Sequence, residues 1–238
     1  MIRIHQLYKR FGSLTVLNGI DLAIDRPGVH MIIGPNGSGK TTLIKSILGM
    51  VIPDQGTIQF DGRVVNGKWE YRRCISYLPQ IAHFPDNLSA RELVNFIRQV
   101  RLGAQDPRPL VQLLDLTTHM DKKIKHLSGG TLQKLNILLA FMYDSPVFIL
   151  DEPTTGLDPL SLFRLKERIR MHQAAKKYIL ITTHIINLVE EMADEIIFLL
   201  EGRIYFQGTP DALKAQSGEH HLERAIAKII ERRHVEGI

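Results

Sequence analysis

Cysteine is almost absent from this 238-residue chain: Cys74 stands alone. No internal disulfide and no cysteine-rich zinc site can form from it. It lies beside Ile75-Ser76-Tyr77-Leu78-Pro79 and is read as packed there, which fits a reducing compartment. Long apolar runs are missing too. A membrane-spanning helix needs about 18 consecutive apolar residues, and stretches such as Ile137–Met142 are only core-sized. The first residues alternate like a strand and lack the apolar segment of a signal peptide, so the expected location is cytoplasmic. There is no basic block, no RNA-type stacking pattern, no sustained heptad and no internal repeat. The net charge of +5 is spread along the chain. It permits an anionic partner, a nucleotide or a membrane surface, without requiring a polyanion.

What remains is an ordinary globular composition, 44% hydrophobic and 23% charged, in a chain long enough to bury a sizeable core. The N-terminal part reads as β-rich: residues 2–11 and 15–24 alternate around turn residues, and residues 56–65 read as a hairpin turning at Asp61-Gly62. His30–Gly34 is a short buried-type strand that runs straight into a glycine-rich loop, and helical spacing follows from Lys40. From Ser89 to about Tyr143 the pattern turns helical, opened by a capping box of Ser89 and Glu92. Strand-helix alternation then resumes, which argues for an α/β sheet with covered faces and the helical block as an insertion. Residues 221–233 read as an amphipathic helix.

The loop is Gly34-Pro35-Asn36-Gly37-Ser38-Gly39-Lys40-Thr41-Thr42. It matches G-x-x-x-x-G-K-[ST] in the required strand-loop-helix setting. The glycines let backbone amides wrap phosphates, Lys40 supplies a cation, and the Thr41 hydroxyl can hold Mg²⁺. A merely tight turn would not need that lysine and threonine. Val147–Leu150 reads as a buried strand that ends in Asp151 and Glu152. Ligands of open α/β sheets bind at the carboxyl ends of strands, so Asp151 is expected to hold Mg²⁺ and Glu152 to polarise a water. His184 ends another such strand. Alone it would be structural; beside the other motifs it reads as a γ-phosphate contact. Gln80, uninformative by itself, becomes a Mg²⁺ or water contact in the same company. The other histidines show no metal-ligand pattern and are expected to be solvated. One feature stands apart: Gly129 and Gly130 sit where a helix begins, although glycine costs a helix about 1 kcal/mol against alanine.

These residues, in this order, resemble the ATP-binding subunits of ABC transporters over essentially the whole chain. The resemblance assigns Gly34–Thr42 to the Walker A loop, Gln80 to the Q-loop and Leu127-Ser128-Gly129-Gly130 to the signature. Phe148–Asp151 is then the Walker B strand, Glu152 the catalytic acid, Gly156–Asp158 the D-loop, His184 the H-loop and Phe11 the adenine-stacking aromatic. It implies an α/β fold: a P-loop NTPase core with an N-terminal antiparallel β-subdomain (together about 1–88 and 144–216), an inserted α-helical subdomain (about 89–143) and a C-terminal helix (about 219–233). It also implies ATP and Mg²⁺, head-to-tail pairing of two ATPase domains, and docking on transmembrane permease subunits. The paired glycines then have a reason, because in this family the signature of one chain caps the phosphates held by the other. Ser128 as a plain N-cap would explain the serine and not the glycines.

Two positions depart from the family pattern. Thr131 replaces the usual glutamine after the signature, and Ile185 replaces the acid frequent after the switch histidine of importers, a tilt towards exporters. Residues 46–62, 77–94 and 127–134 are similar to ATPase subunits that serve maturation of nitrous oxide reductase, a copper enzyme, although the chain carries no copper site of its own. The rival class is a soluble ABC-type ATPase acting on nucleic acid or ribosomes. Lack of a coiled coil, of zinc modules and of a second cassette speaks against it, and no nucleic-acid partner is expected. A catalytically dead regulator is disfavoured because Lys40, Asp151, Glu152 and His184 are all present. Lys40→Ala is expected to abolish ATP turnover in a phosphate-release assay; surviving activity would place the site elsewhere.

Overall fold

One irregularity in the first strand decides which side chains face inward. β1 (Ile2–Phe11) and β2 (Leu14–Ile24) pair antiparallel. Plain alternation would turn Gln6 inward after Ile2 and Ile4. Instead the register shifts between Ile4 and Leu7, Gln6 takes a φ of 46°, and Leu7 is the residue buried. This is what a β-bulge does: an extra residue is absorbed and the inward face is kept. The Asp21 carboxylate accepts the Gln6 amide at 2.9 Å, and that hydrogen bond is the main cause holding its pKa below the usual carboxylate range.

The computed structural model describes residues 1–236, with side chains to residue 231. After β2 come β3 (Gly28–Ile33), buried along its whole length, and α1 (Lys40–Ile47). The hairpin β4 (Gln55–Phe60) and β5 (Arg63–Val64) turns at Asp61-Gly62, both in left-handed conformation, as the sequence predicts. A 3-10 turn at Glu70–Cys74 leads into β6 (Ile75–Leu78). α2 (Ala90–Val100) opens with the expected capping box: the Ser89 hydroxyl accepts the Glu92 amide at 3.2 Å while the Glu92 carboxylate accepts the Ser89 amide at 2.7 Å. It stops short of Leu102, because Arg101 turns extended and stacks its guanidinium on Tyr143, 4.1 Å from the ring centre, donating to Ser145 Oγ. α3 (Arg108–Leu113) and α4 (Gly129–Phe141) follow. Then come β7 (Val147–Asp151), α5 (Pro159–Ala174) and β8 (Tyr178–Thr183). The chain ends with α6 (Ile186–Met192), β9 (Glu195–Leu200), β10 (Arg203–Gly208), α7 (Pro210–Ser217) and α8 (Leu222–Glu236).

The chain divides into two units, Met1–Tyr71 with Leu180–Ile238, and Arg72–Ile179. The first holds an antiparallel sheet in the order β2-β1-β4-β5 and a parallel pairing of β3 with β9, to which β10 adds antiparallel. The second holds the parallel pair β6 and β7 with α2 to α5. Buried parallel strands need both faces covered, and β7 is buried at every residue. No helix among the described residues is long and apolar enough to cross a membrane.

Two histidines break the expectation of solvation. His30 is buried in β3, its ring nitrogens held by Glu195 (2.7 Å) and the Arg26 carbonyl (2.9 Å). His172 is buried on α5 with its ring centre 4.3 Å from that of Phe148. Burial, with the Arg168 charge a smaller cause, pushes the His172 pKa down from 6.5 to about 4. Between those values the unfolded chain binds the proton and the folded one does not, so stability is full above pH 6.5 and falls as pH drops towards 4. In urea titrations across that window, His172→Phe is expected to flatten this part of the pH dependence. An unchanged slope would show that His172 carries none of it.

Candidate functional site

The candidate phosphate loop in the first unit is shaped by what surrounds it. A Cβ on Gly34 would lie 2.0 Å from the Leu199 carbonyl oxygen, and its φ of 156° is glycine territory. Only a bare backbone fits between β3 and α1 at this point. The Gly202 amide donates to the Ser38 carbonyl at 3.0 Å, fixing the loop against the β9–β10 turn. Gly39 is the N-cap of α1 and offers no side-chain cap, and no acidic residue occupies the first turn. The helix therefore starts without a side-chain cap, and the positive end of its dipole meets the loop, the geometry of an anion site.

Lys40 is buried, its ammonium donating to the carbonyls of Gly34 (2.7 Å) and Pro35 (3.0 Å). It thus lies folded across the loop it would serve. Ser38 Oγ is buried with no hydrogen-bond partner among the described residues, a polar atom that a phosphate oxygen would satisfy. The loop fits a phosphate. Thr41 and Thr42 follow in the first turn, partly exposed. Phe11, at the end of β1, is about half exposed, with Lys9 Nζ 5.2 Å over its ring. His184 follows β8 and is exposed, next to Ile185, whose amide bonds Thr183 Oγ1.

The second unit carries the remaining predicted residues. Gln80 is exposed just past β6. Asp151 and Glu152 are both buried at the end of β7. Glu152 takes a φ of 48°, left-handed for a residue with a side chain. Such a conformation costs on the order of 1–3 kcal/mol and clusters at functional sites, although Gln6 and Asp61 adopt it in a bulge and a turn. Tyr77 on β6 has its phenol pushed up to about 12 by burial and, less, by the Asp151 charge, so it stays neutral. Among the described residues no group of three or more His, Cys, Asp or Glu could hold a metal. Thr41, Gln80 and Asp151 are hard oxygen donors, the type that suits Mg²⁺ when substrate phosphates supply the other ligands.

The residues expected to form the signature, Leu127 to Gly130, lie at the N-terminus of α4. Ser128 is its N-cap, accepting the Thr131 amide at 3.2 Å, so the plain capping role is real. Thr131, the departure from the family pattern, places its hydroxyl 2.9 Å from Ser128 Oγ. The two glycines differ. A Cβ on Gly130 would lie 2.9 Å from the Gly156 carbonyl of the D-loop stretch, so packing within the unit explains it. A Cβ on Gly129 would meet nothing within 4 Å. No neighbour among the described residues requires Gly129 to be glycine.

Sequence reasoning missed how α4 is tied down. Lys134 pairs with Asp158, the N-cap of α5, at 2.9 Å, and this bond is the first cause holding the Asp158 pKa far below the carboxylate range. The Gln133 side-chain amide donates to the Pro153 carbonyl (3.0 Å), and the Asn136 side-chain amide to the Pro79 carbonyl (2.9 Å). The only available signal was an amide at positions that helical spacing turns inward.

Comparison with known proteins agrees with this geometry. The sequence model of the family described as ABC transporter matches residues 17–155. The Nod factor export ATP-binding protein I of Burkholderia orbicola is 37% identical over 211 residues, covering 86% of this chain and 69% of that protein. A daunorubicin resistance ATP-binding protein of Streptomyces coeruleorubidus is 34% identical over 221 residues, covering 90% of this chain and 70% of the other. Among solved structures, an ATP-binding subunit of an ABC transporter superposes with a TM-score of 0.89 at 29% identity, over 97% of this chain and 99% of the other. A dimeric bacterial ABC transporter cassette, at 23% identity and a TM-score of 0.79 over 88% of this chain and 98% of its own, shares the fold. This chain belongs to the ABC transporter family, as one of its ATP-binding subunits, and has the cassette fold. The ATP-binding cassettes of this family hydrolyse ATP.

The two signature glycines can be separated experimentally. Gly129→Ala is expected to leave the isolated chain as stable as before, or up to about 1 kcal/mol more stable, while lowering ATPase activity. Gly130→Ala is expected to destabilise the chain, since the Gly156 carbonyl must shift. Denaturant unfolding and ATPase assays on both variants check this; wild-type activity in Gly129→Ala would leave that glycine unexplained.

Proposed function

We propose that this chain is the ATP-hydrolysing subunit of an exporter-type ABC transporter, working as a head-to-tail pair of identical chains around two ATP. The observation that carries the reading is Gly129. Its open surface at a helix N-terminus is unneeded by its own chain and suits a phosphate presented by another. Phe11 stacks on adenine, and the amides of Gly37 to Thr41 wrap the phosphates. Lys40 leaves the Gly34 and Pro35 carbonyls for the γ-phosphate. Ser128 and the amides of Gly129 and Gly130 in the partner chain cover the same phosphate, and Asp158 helps hold the D-loop at the join.

Glu152 accepts the proton of the attacking water and His184 orients the γ-phosphoryl group for in-line transfer, leaving ADP and phosphate. Thr41, Gln80 and Asp151 would hold Mg²⁺, which would neutralise phosphate charge. Release of phosphate and ADP opens the pair, and the movement passes to permease subunits docked on the helical segment and Q-loop region. The chain then sits on the cytoplasmic face of the membrane through that permease.

The exporter assignment is supported by relatives named for Nod factor export and daunorubicin resistance and by Ile185. Service in nitrous oxide reductase maturation is the specific process suggested by residues 46–62, 77–94 and 127–134. The test is Glu152→Gln, expected to bind ATP and turn it over very slowly. Pulled from detergent-solubilised membranes of the native host with ATP, it should bring down a polytopic membrane protein in stoichiometric amount. That protein's neighbours would name the cargo. Recovery of nucleic acid or ribosomes and no membrane protein would contradict the proposal.

A further inference from the structure

α4 carries two buried side-chain amides one turn apart, Gln133 and Asn136. Each donates to the carbonyl of a proline, and each proline adjoins a candidate catalytic residue. Asn136 Nδ2 holds the Pro79 carbonyl, immediately before Gln80, at 2.9 Å. Gln133 Nε2 holds the Pro153 carbonyl, immediately after Glu152, at 3.0 Å. Pro79 lies past the last residue of β6, where the strand ladder no longer supplies a partner for its carbonyl. Residues three apart on a helix share one face, so a single helix grips both loops from one side.

We infer that Gln133 and Asn136 are positioning residues. They lock the Glu152 and Gln80 loops to the helix whose N-terminus is the signature, so displacement of that N-terminus moves both loops together. A leucine or methionine at either position would fill the interior equally well. What the amides add is a directional bond to a carbonyl that neighbours reacting groups. Two such bonds on one helix face, each beside a different candidate catalytic residue, exceed what simple satisfaction of a buried amide requires. The inference rests on the ATPase reading proposed above.

The test uses Gln133→Met and Asn136→Leu in the full chain, which keep side-chain bulk and remove the donor. Amide hydrogen exchange in the nucleotide-free protein is the first readout. Asn136→Leu should speed exchange about fivefold or more at residues 80–82 alone, and Gln133→Met at residues 154–156 alone, because local opening reports the local bond. ATPase kinetics are the second. Each variant should lower kcat by about tenfold with the ATP half-saturation unchanged, since a misplaced catalytic group loses rate and not ground-state binding.

Wild-type turnover, or exchange that rises evenly through Arg72–Ile179, would overturn the inference. Should Asn136→Leu fail to fold, Asn136→Ser keeps a shorter donor and should show a smaller change confined to the same segment. Lys40→Ala in the same assay separates the two levels. An active Lys40→Ala protein defeats the assignment of the site on which the inference rests; an inactive one beside fully active Gln133→Met and Asn136→Leu defeats only the positioning roles.

Discussion

A triphosphate is best held by backbone amides, and backbone amides reach an anion only where the chain has no side chain in the way. On the proposed reading, that requirement shapes both candidate half-sites of this chain. At the start of α1 it takes the form of Gly34, wedged under the Leu199 carbonyl, and of an N-cap that is itself glycine. At the start of α4 it takes the form of Gly129, bare towards solvent. Each costs local stability, and each is followed by a helix whose dipole favours an anion at that end. The cost is tolerated because the rest of the fold is anchored by strands such as β3 and β7, buried along their whole length.

The two glycine sites differ in how they meet their surroundings. The α1 loop is closed on itself: Lys40 lies across the Gly34 and Pro35 carbonyls, and Ser38 is buried with an unsatisfied hydroxyl. Its groups have substitutes for phosphate or lack a partner, as expected of a site completed by its ligand. The α4 terminus is instead tied to its neighbours by Lys134–Asp158, Gln133–Pro153 and Asn136–Pro79, while Ser128 and Gly129 at its start are exposed. A helix pinned within its first two turns, with its start bare, is suited to receive contact at that end and pass it on.

Local signals made much of the fold legible. The Ser89–Glu92 box and the Asp61-Gly62 turn are written in consecutive residues, and both form as read. α7 carries equally local signals: Thr209 caps it, Pro210 opens it and Gly218 closes it. The β1 bulge could not be read, because it depends on Asp21 standing opposite the Gln6 amide from another strand. The same holds for buried His30 and His172, whose partners Glu195 and Phe148 lie far along the chain. In the candidate site the phosphate loop and strand-end acids announce themselves by residue type and spacing. The left-handed Glu152 and the amide clamps of α4 do not, since they follow from which carbonyls happen to face which helix.

The claim on which everything else turns is that one chain holds two half-sites that a second copy completes. Mixing two disabled chains tests it most directly: Lys40→Ala, deficient in the phosphate loop, and Gly129→Asp, which sets a carboxylate against the phosphate where this chain leaves open space. Each alone should be inactive. In the mixture, heterodimers unite one intact loop with one intact signature, so ATP turnover should rise well above the sum of the separate proteins. A mixture no more active than its parts, or a fully active Gly129→Asp protein, would contradict the account.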